Sequence, residues 1–187
     1  MKNIIIKTKP ILFSTEMVQA NLKGIKSQTR RIVDEMHYMF LEYAFHHKKN
    51  ITDWIIRTAK YQPGDILWVR ETFWFDPFQQ VYHYKADEDS CMKLFTGWKP
   101  SIHMPKKIAR IFLKVTSVRC ERLKDISDED AIAEGMDPDQ VPTYRFAALW
   151  KRLNGEDSWN RNPFVFIYEY EIIEKPKNFL KTNTFLK

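Results

Sequence analysis

The chain has 187 residues, of which 44% are hydrophobic, 14% aromatic and 29% charged, with only five glycines. This composition excludes collagen-like, low-complexity and intrinsically disordered classes, and a chain of this size buries about two-thirds of its unfolded surface on folding. Thirty Lys and Arg against twenty-four Asp and Glu give a formal charge of +6, which favours polyanionic partners.

No apolar run approaches the roughly 18–20 residues of a membrane-spanning helix. The cluster Ile4, Ile5 and Ile6 is interrupted by Lys7 and Lys9 before a signal-peptide core forms. Cys91 and Cys120 have no CxxC spacing, which suits a reducing compartment. The expectation is a cytoplasmic protein that makes no membrane contact.

In chain order, Ser14 or Thr15 caps a short helix with Met17, Val18 and Leu22 on its apolar stripe, and Gly24 stands where a left-handed helix exit belongs. Residues 34–61 lack proline and glycine, and Met36, Met39, Phe40, Tyr43 and Phe45 recur at helical spacing, with a polar break at 46–50. This predicts an inserted helical excursion. Pro63, Gly64 and Asp65 form a turn signal, after which residues 66–75 read as one strand carrying Arg70 and Glu71 in its middle, with 81–84 as hairpin partner. From Ile108 the pattern alternates, with Ala109, Ile111, Leu113 and Val115 on one face and Arg110, Lys114 and Thr116 on the other. Ser127 caps an acidic-start helix ending at Gly135, and Thr143 caps another whose stripe is Phe146, Leu149, Trp150 and Leu153, ending at Asn154 and Gly155. Residues 164–173 alternate as a final strand, and 174–187 read as a polar tail. Without regular strand–helix alternation the class is α+β or a small barrel with helices attached. The organisation expected is one domain over 1–173, with insertions at about 34–62 and 76–104.

The charge is segregated. Residues 99–124 hold eight Lys or Arg and one acid, whereas 125–139 hold seven acids and no base. A basic, aromatic-rich segment of this kind attracts nucleic acid, since phosphate contacts supply most non-specific affinity. Lys106, Lys107, Arg110, Lys114 and Arg119 are its candidate contacts. Gly24, Lys26, Thr29, Arg30 and Arg31 form a second constellation, directly after a helix stop. Burial or the neighbouring guanidiniums would lower the pKa of Lys26 and let it act as a base, with the Thr29 hydroxyl within reach.

The pattern Gly24, Lys26, Thr29, Arg31 resembles the signature of the ASCH domain, a branch of the PUA-like fold. Residues 10–14, the stretch from Gly64 through Trp68, Val69, Arg70 and Glu71, residues 98–105, and Ala133-Glu134-Gly135 are similar in order and spacing to the longer ASCH-like proteins of phages and prophages. The resemblance, which runs from about 10 to 173, implies an α+β, PUA-like small β-barrel, mostly antiparallel, with flanking helices. It also implies a cleft for a modified nucleoside or single-stranded RNA. Amidohydrolase activity on N4-acetylcytidine in small ASCH proteins assigns catalytic roles to Lys26, Thr29 and Glu134. Ribonuclease activity is also known in the family. The two insertions depart from the small enzymes and surround the implied cleft.

Arg70 and Glu71 are adjacent on a strand and point to opposite faces, so one at most enters a site by simple alternation. Glu71 is an alternative acid, through pairing with Lys26 or Arg31, or one half of a structural ion pair. Among Trp68, Phe73, Trp74, Tyr82, Tyr84 and Trp98 most are expected in the core, with Trp74 and Trp98 the better candidates for stacking a base. No His or Cys falls at zinc-ligand spacing, and there is no Walker loop, nucleophile elbow or dinucleotide fingerprint, so neither metal nor cofactor is expected. A non-catalytic RNA- or DNA-binding module, and a phage accessory factor that holds a host protein through 34–61, are the readings of other classes.

Overall fold

The computed structural model describes residues 8–87 and 96–180. The Ile4–Ile6 cluster and Cys91 lie outside the described residues. The chain forms two compact units, one of Met1–Gly24, Gly64–Lys114 and Glu171–Lys187, the other of Ile25–Pro63 and Val115–Tyr170.

In the first unit, strand β1 (Thr8–Leu12) leads into helix α1 (Thr15–Leu22), where the Ser14 hydroxyl accepts the Met17 N–H at 3.4 Å. Met17, Val18, Ala20 and Asn21 are buried, whereas Leu22 is half exposed and lies outside the stripe expected of it. Gly24 ends the exit at φ +70°, a conformation that costs a side-chain-bearing residue strain.

The strand expected over 66–75 is two. Strand β3 (Ile66–Arg70) pairs parallel to β1 and antiparallel to the first residues of β6 (Phe112–Arg122); strand β4 (Phe73–Asp76) forms a hairpin with β5 (Val81–Tyr84). The break falls at Glu71, whose N–H is bonded to the Met104 sulfur at 3.1 Å instead of to a neighbouring strand. Residues 106–108 form a 3-10 turn, so β6 begins later than the alternation implied, but Ala109, Ile111, Leu113 and Val115 are buried as expected. Trp68, Phe73, Met104, Ala109, Phe112 and Phe179 make this unit's aromatic core.

In the second unit, β2 (Gln28–Ile32) pairs antiparallel with β7 (Phe164–Ile173), Gln28 opposite Glu169 and Ile32 opposite Val165. The helical excursion is present as α2 (Tyr38–His46) and α3 (Thr52–Thr58), separated at the expected polar break. Its buried apolar residues are nevertheless Leu41, Ala44 and Ile55, while Met36 and Met39 are exposed, because the anchoring face is offset from the stripe that spacing suggested. Helix α4 (Asp128–Ala133) starts at Ser127, whose hydroxyl accepts the Asp130 N–H at 3.1 Å. Helix α5 (Pro142–Asn154) begins ahead of Thr143, with Pro142 in its first turn. Thr143 is not the cap: its N–H and hydroxyl both donate to the Asp128 carboxylate. Phe146, Leu149 and Trp150 are buried, and Leu153 is half exposed.

The strand order is β1-β3-β6-β7-β2. Of the strand pairs described above only β1–β3 is parallel. The architecture is therefore α+β with a mostly antiparallel sheet. The small barrel expected is not closed: among the described strands β1 and β2 remain the two ends of the order. No helix of the described residues is long and apolar enough to cross a membrane.

Leu123, Ile126, Ala131, Phe146, Trp150, Val165 and Ile167 form the second unit's core. Phe146→Ala leaves a cavity there and is expected to lower stability by about 3–5 kcal/mol with an unchanged denaturant slope, measured by urea unfolding.

Candidate functional site

The loop after Gly24 is pinned on both sides within the second unit. The Ser27 N–H donates to the Ala133 carbonyl at the end of α4, and the Ser27 carbonyl accepts the Tyr170 N–H from β7, each at 2.9 Å. From this anchorage Lys26 reaches under α4. Its Nζ donates to Glu134 Oε2 at 2.7 Å and to the Glu134 backbone carbonyl at 2.8 Å, with the lysine side chain 0% and the glutamate side chain 2% exposed.

Two periodicities meet here. Side chains two residues apart share one face of a strand, and residues four apart share one face of a helix. Gln28 and Arg30 continue from Lys26 along β2, and all three reach Asp130 or Glu134 on α4. Gln28 Nε2 donates to Asp130 Oδ1 at 3.2 Å. Arg30 Nη2 binds Asp130 Oδ2 at 2.6 Å and Nη1 binds Glu134 Oε1 at 3.3 Å. Glu134 therefore divides its two carboxylate oxygens between an ammonium and a guanidinium. Arg119 from β6 extends the network, donating to Asp130 Oδ1 at 2.9 Å and pairing with Glu121 and Glu169, while the Ser117 hydroxyl donates to Glu169 at 2.7 Å.

Burial presses the Lys26 ammonium below its ordinary pKa; Glu134 opposes this, and Arg31 and Arg30 add to it. For Asp130 burial acts to raise the pKa, but Arg30, Gln28 and Arg119 outweigh it and hold the carboxyl below its usual value. Arg30 Nε is buried without a hydrogen-bond partner.

The structure thus brings Lys26, Arg30 and Glu134 together. Thr29 is 1% exposed, but strand alternation turns it away from the face that carries Gln28 and Arg30. Among the described residues no hydrogen bond ties it to Lys26 or Glu134. Arg31 follows it in β2, half-buried. Sequence reasoning missed Gln28, Asp130 and Glu169 as members of this network, and it gave Arg119 a nucleic-acid contact where the structure pairs it with Asp130. The available signal was the i, i+4 spacing of Asp130 and Glu134 in the acidic block, set against Lys26, Gln28 and Arg30 at spacing two.

The other expected residues, with Gly24, lie in the first unit. Glu71, 1% exposed, is bound by Arg110 through both oxygens, at 2.9 and 2.8 Å. Burial pushes its pKa up against the pull of Arg110, and Asp87 adds to the rise. Arg110 also pairs with Asp87 and lies 4.0 Å from the centroid of the Tyr84 ring. Glu71 is thus the structural ion pair of the two readings, and its partner is Arg110. Trp68 is buried in the aromatic core, Trp74 stacks on His83 at 5.2 Å, and Trp98 is half-buried. Arg70 donates to the Ile102 carbonyl, Lys106 lies 4.5 Å from the Phe179 ring centroid, and Lys107 is exposed.

The basic stretch is largely matched by acids. Lys114 pairs with Glu171, Arg122 with Glu42, and Arg110 and Arg119 as described. Among the described residues no cluster of His, Cys, Asp and Glu is arranged to hold a metal ion, and burial raises the Cys120 thiol to about 12.

Lys26→Met strands part of a buried carboxylate and is expected to cost about 3–5 kcal/mol in chemical denaturation. Asp130 supplies stability that is present above its unfolded pKa, about 3.9, and lost as pH falls through its lower folded value. Asp130→Asn should therefore be less stable at neutral pH and show a flatter stability–pH curve below about pH 4.

No family model matches the chain, and no curated protein matches it. The solved structures to which it is similar include the following two. One is the ASCH domain from Lactobacillus crispatus JV V101, at 12% identity and a TM-score of 0.45, covering 90% of this chain and 81% of that one. The other is protein EF3133 from Enterococcus faecalis V583, described under family-model DUF984, at 12% identity and a TM-score of 0.36, covering 82% of this chain. The chain spans 64% of the length of EF3133.

Proposed function

We propose that the second unit is an amidohydrolase centre for an N4-acylated pyrimidine nucleoside, with Lys26 as its base. The observation that carries this reading is the sealed Lys26 ammonium, depressed in pKa by burial and held at 2.7 Å from a carboxylate that a guanidinium also grips. A lysine brought toward neutrality by desolvation is suited to general-base work. The neutral amine takes a proton from a water molecule, whose oxygen attacks the acyl carbonyl carbon. The C–N bond then breaks, and the lysine ammonium returns the proton to the departing exocyclic nitrogen, leaving a carboxylic acid and the free nucleoside. Glu134 positions the Lys26 Nζ, and Arg30 balances the charge of Glu134. Because Lys26 and Glu134 are closed to solvent, substrate reaches them only when the end of α4 moves aside. Thr29, turned to the other face of β2, has the supporting role in this scheme, and water is the nucleophile.

A second reading is binding of single-stranded RNA by the first unit. It is favoured by Lys106 and Lys107, which make no ion pair among the described residues.

Incubation with N4-acetylcytidine is expected to release cytidine, with Lys26→Ala lowering the rate by about 10²–10⁴-fold. Absence of release by the wild-type protein refutes the proposal. The rate should rise with pH until Lys26 is deprotonated and then level off. Glu134→Gln removes the charge that holds the proton on Lys26, so the rising limb of the pH–rate profile should move to lower pH.

A further inference from the structure

Beyond β7, residues 174–180 carry a single buried side chain, Phe179, at 2% exposure. Its N–H bonds back to Pro176 within its own turn at 3.0 Å. Among the described residues no hydrogen bond or ion pair joins 174–180 to the rest of the first unit. The segment is held by one aromatic ring. That ring meets Phe112 edge-to-face at 4.6 Å and Trp68 at 6.3 Å, in the same cluster as Phe73, Met104 and Ala109.

The seat is rimmed by cations that also hold its occupant by cation–π attraction. Two ammonium groups, Lys106 at 4.5 Å and Lys175 at 5.7 Å, lie over the one Phe179 ring, and among the described residues no carboxylate pairs with either. The Arg70 guanidinium lies 5.7 Å from the adjoining Trp68 ring, with its Nε buried and unpartnered. Lys175 thus brings a further cation to a rim that is already cationic. A pyrimidine nucleotide would set its flat six-membered ring in the same seat and its phosphate on the rim: base against Trp68 and Phe112, phosphate on Lys106 and Arg70.

We infer that Phe179 is a self-supplied plug in a pyrimidine-nucleotide slot formed by Trp68, Phe112, Lys106 and Arg70. Nucleotide and tail compete for one seat, so occupancy by Phe179 lowers the apparent affinity by the fraction of molecules that are plugged. The slot involves neither Lys26 nor an acyl amide, so it stands or falls independently of the hydrolase reading.

The test uses the full chain with uridine monophosphate and a labelled ten-residue oligouridine. If nine-tenths or more of the molecules are plugged, Phe179→Ala binds at least about tenfold more tightly than wild type, and adding Lys106→Glu removes the gain. Tightening toward the mononucleotide identifies a free nucleotide as the ligand; tightening toward the oligomer alone identifies a strand. A cooperatively melting Phe179→Ala that binds neither probe more tightly overturns the inference and leaves Phe179 as packing. Should that variant not fold, trypsin cleavage of the wild-type protein after Lys177 decides. Nucleotide accelerates the cut if it expels the tail, and an unchanged rate overturns the inference.

Discussion

The second unit is organised around one constraint: the carboxylates of Asp130 and Glu134 sit on one face of a short helix, buried enough that each must be matched by donors. Lys26, Gln28 and Arg30 supply these donors from the β2 segment, and Arg119 from β6. Breaking such a network by removing one partner is costly, because the remaining charge is left out of water without compensation. The same tie holds the end of α4. Lys26 donates to the Glu134 carbonyl, a position where a helix has no N–H donor of its own to offer and where a cation is favoured by the helix dipole. Structure and proposed chemistry rest on the same atoms, since desolvation both makes the pair indispensable to the fold and brings the lysine nearer to a base.

Electrostatic accounting changes the meaning of the basic stretch. Seen as residues, 99–124 carry seven positive charges in excess. Seen in space, Arg110, Lys114, Arg119 and Arg122 are each matched by carboxylates, several from the acidic block or from β7. Charges that neutralise one another at close range project little field, so the polyanion-binding potential falls back on cations such as Lys106, Lys107 and Arg70. These lie in the aromatic first unit, where Phe179 fills the core seat that Lys106 and Arg70 border.

Much of this was legible in advance. Strand β7, the hairpin strand β5, the Ser14 and Ser127 caps, and the two-part helical excursion follow from periodicity and capping chemistry, which act over a few residues. The faces of α2 and the internal break of the 66–75 run were not legible. Burying Leu41 and Ala44 in place of Met36 and Met39 depends on what the helix packs against, and the break at Glu71 depends on Met104, thirty-three residues away. In the site, Lys26 and Glu134 stood out by resemblance. Asp130 and the role of Arg119 did not: the i, i+4 spacing of Asp130 and Glu134 puts both on one helix face, but which cations meet them is set by β2 and β6, remote in the chain.

Composition, charge blocks and period thus settled the α+β class, most elements and the residues rich in chemistry, since these properties are local to the chain. Which cation meets which carboxylate, that Glu71 belongs to Arg110, and that Phe179 occupies an aromatic seat were settled by contacts between segments remote in the chain. Such contacts are chosen by burial and charge matching in three dimensions, where an ion pair's strength depends on how much water its surroundings exclude.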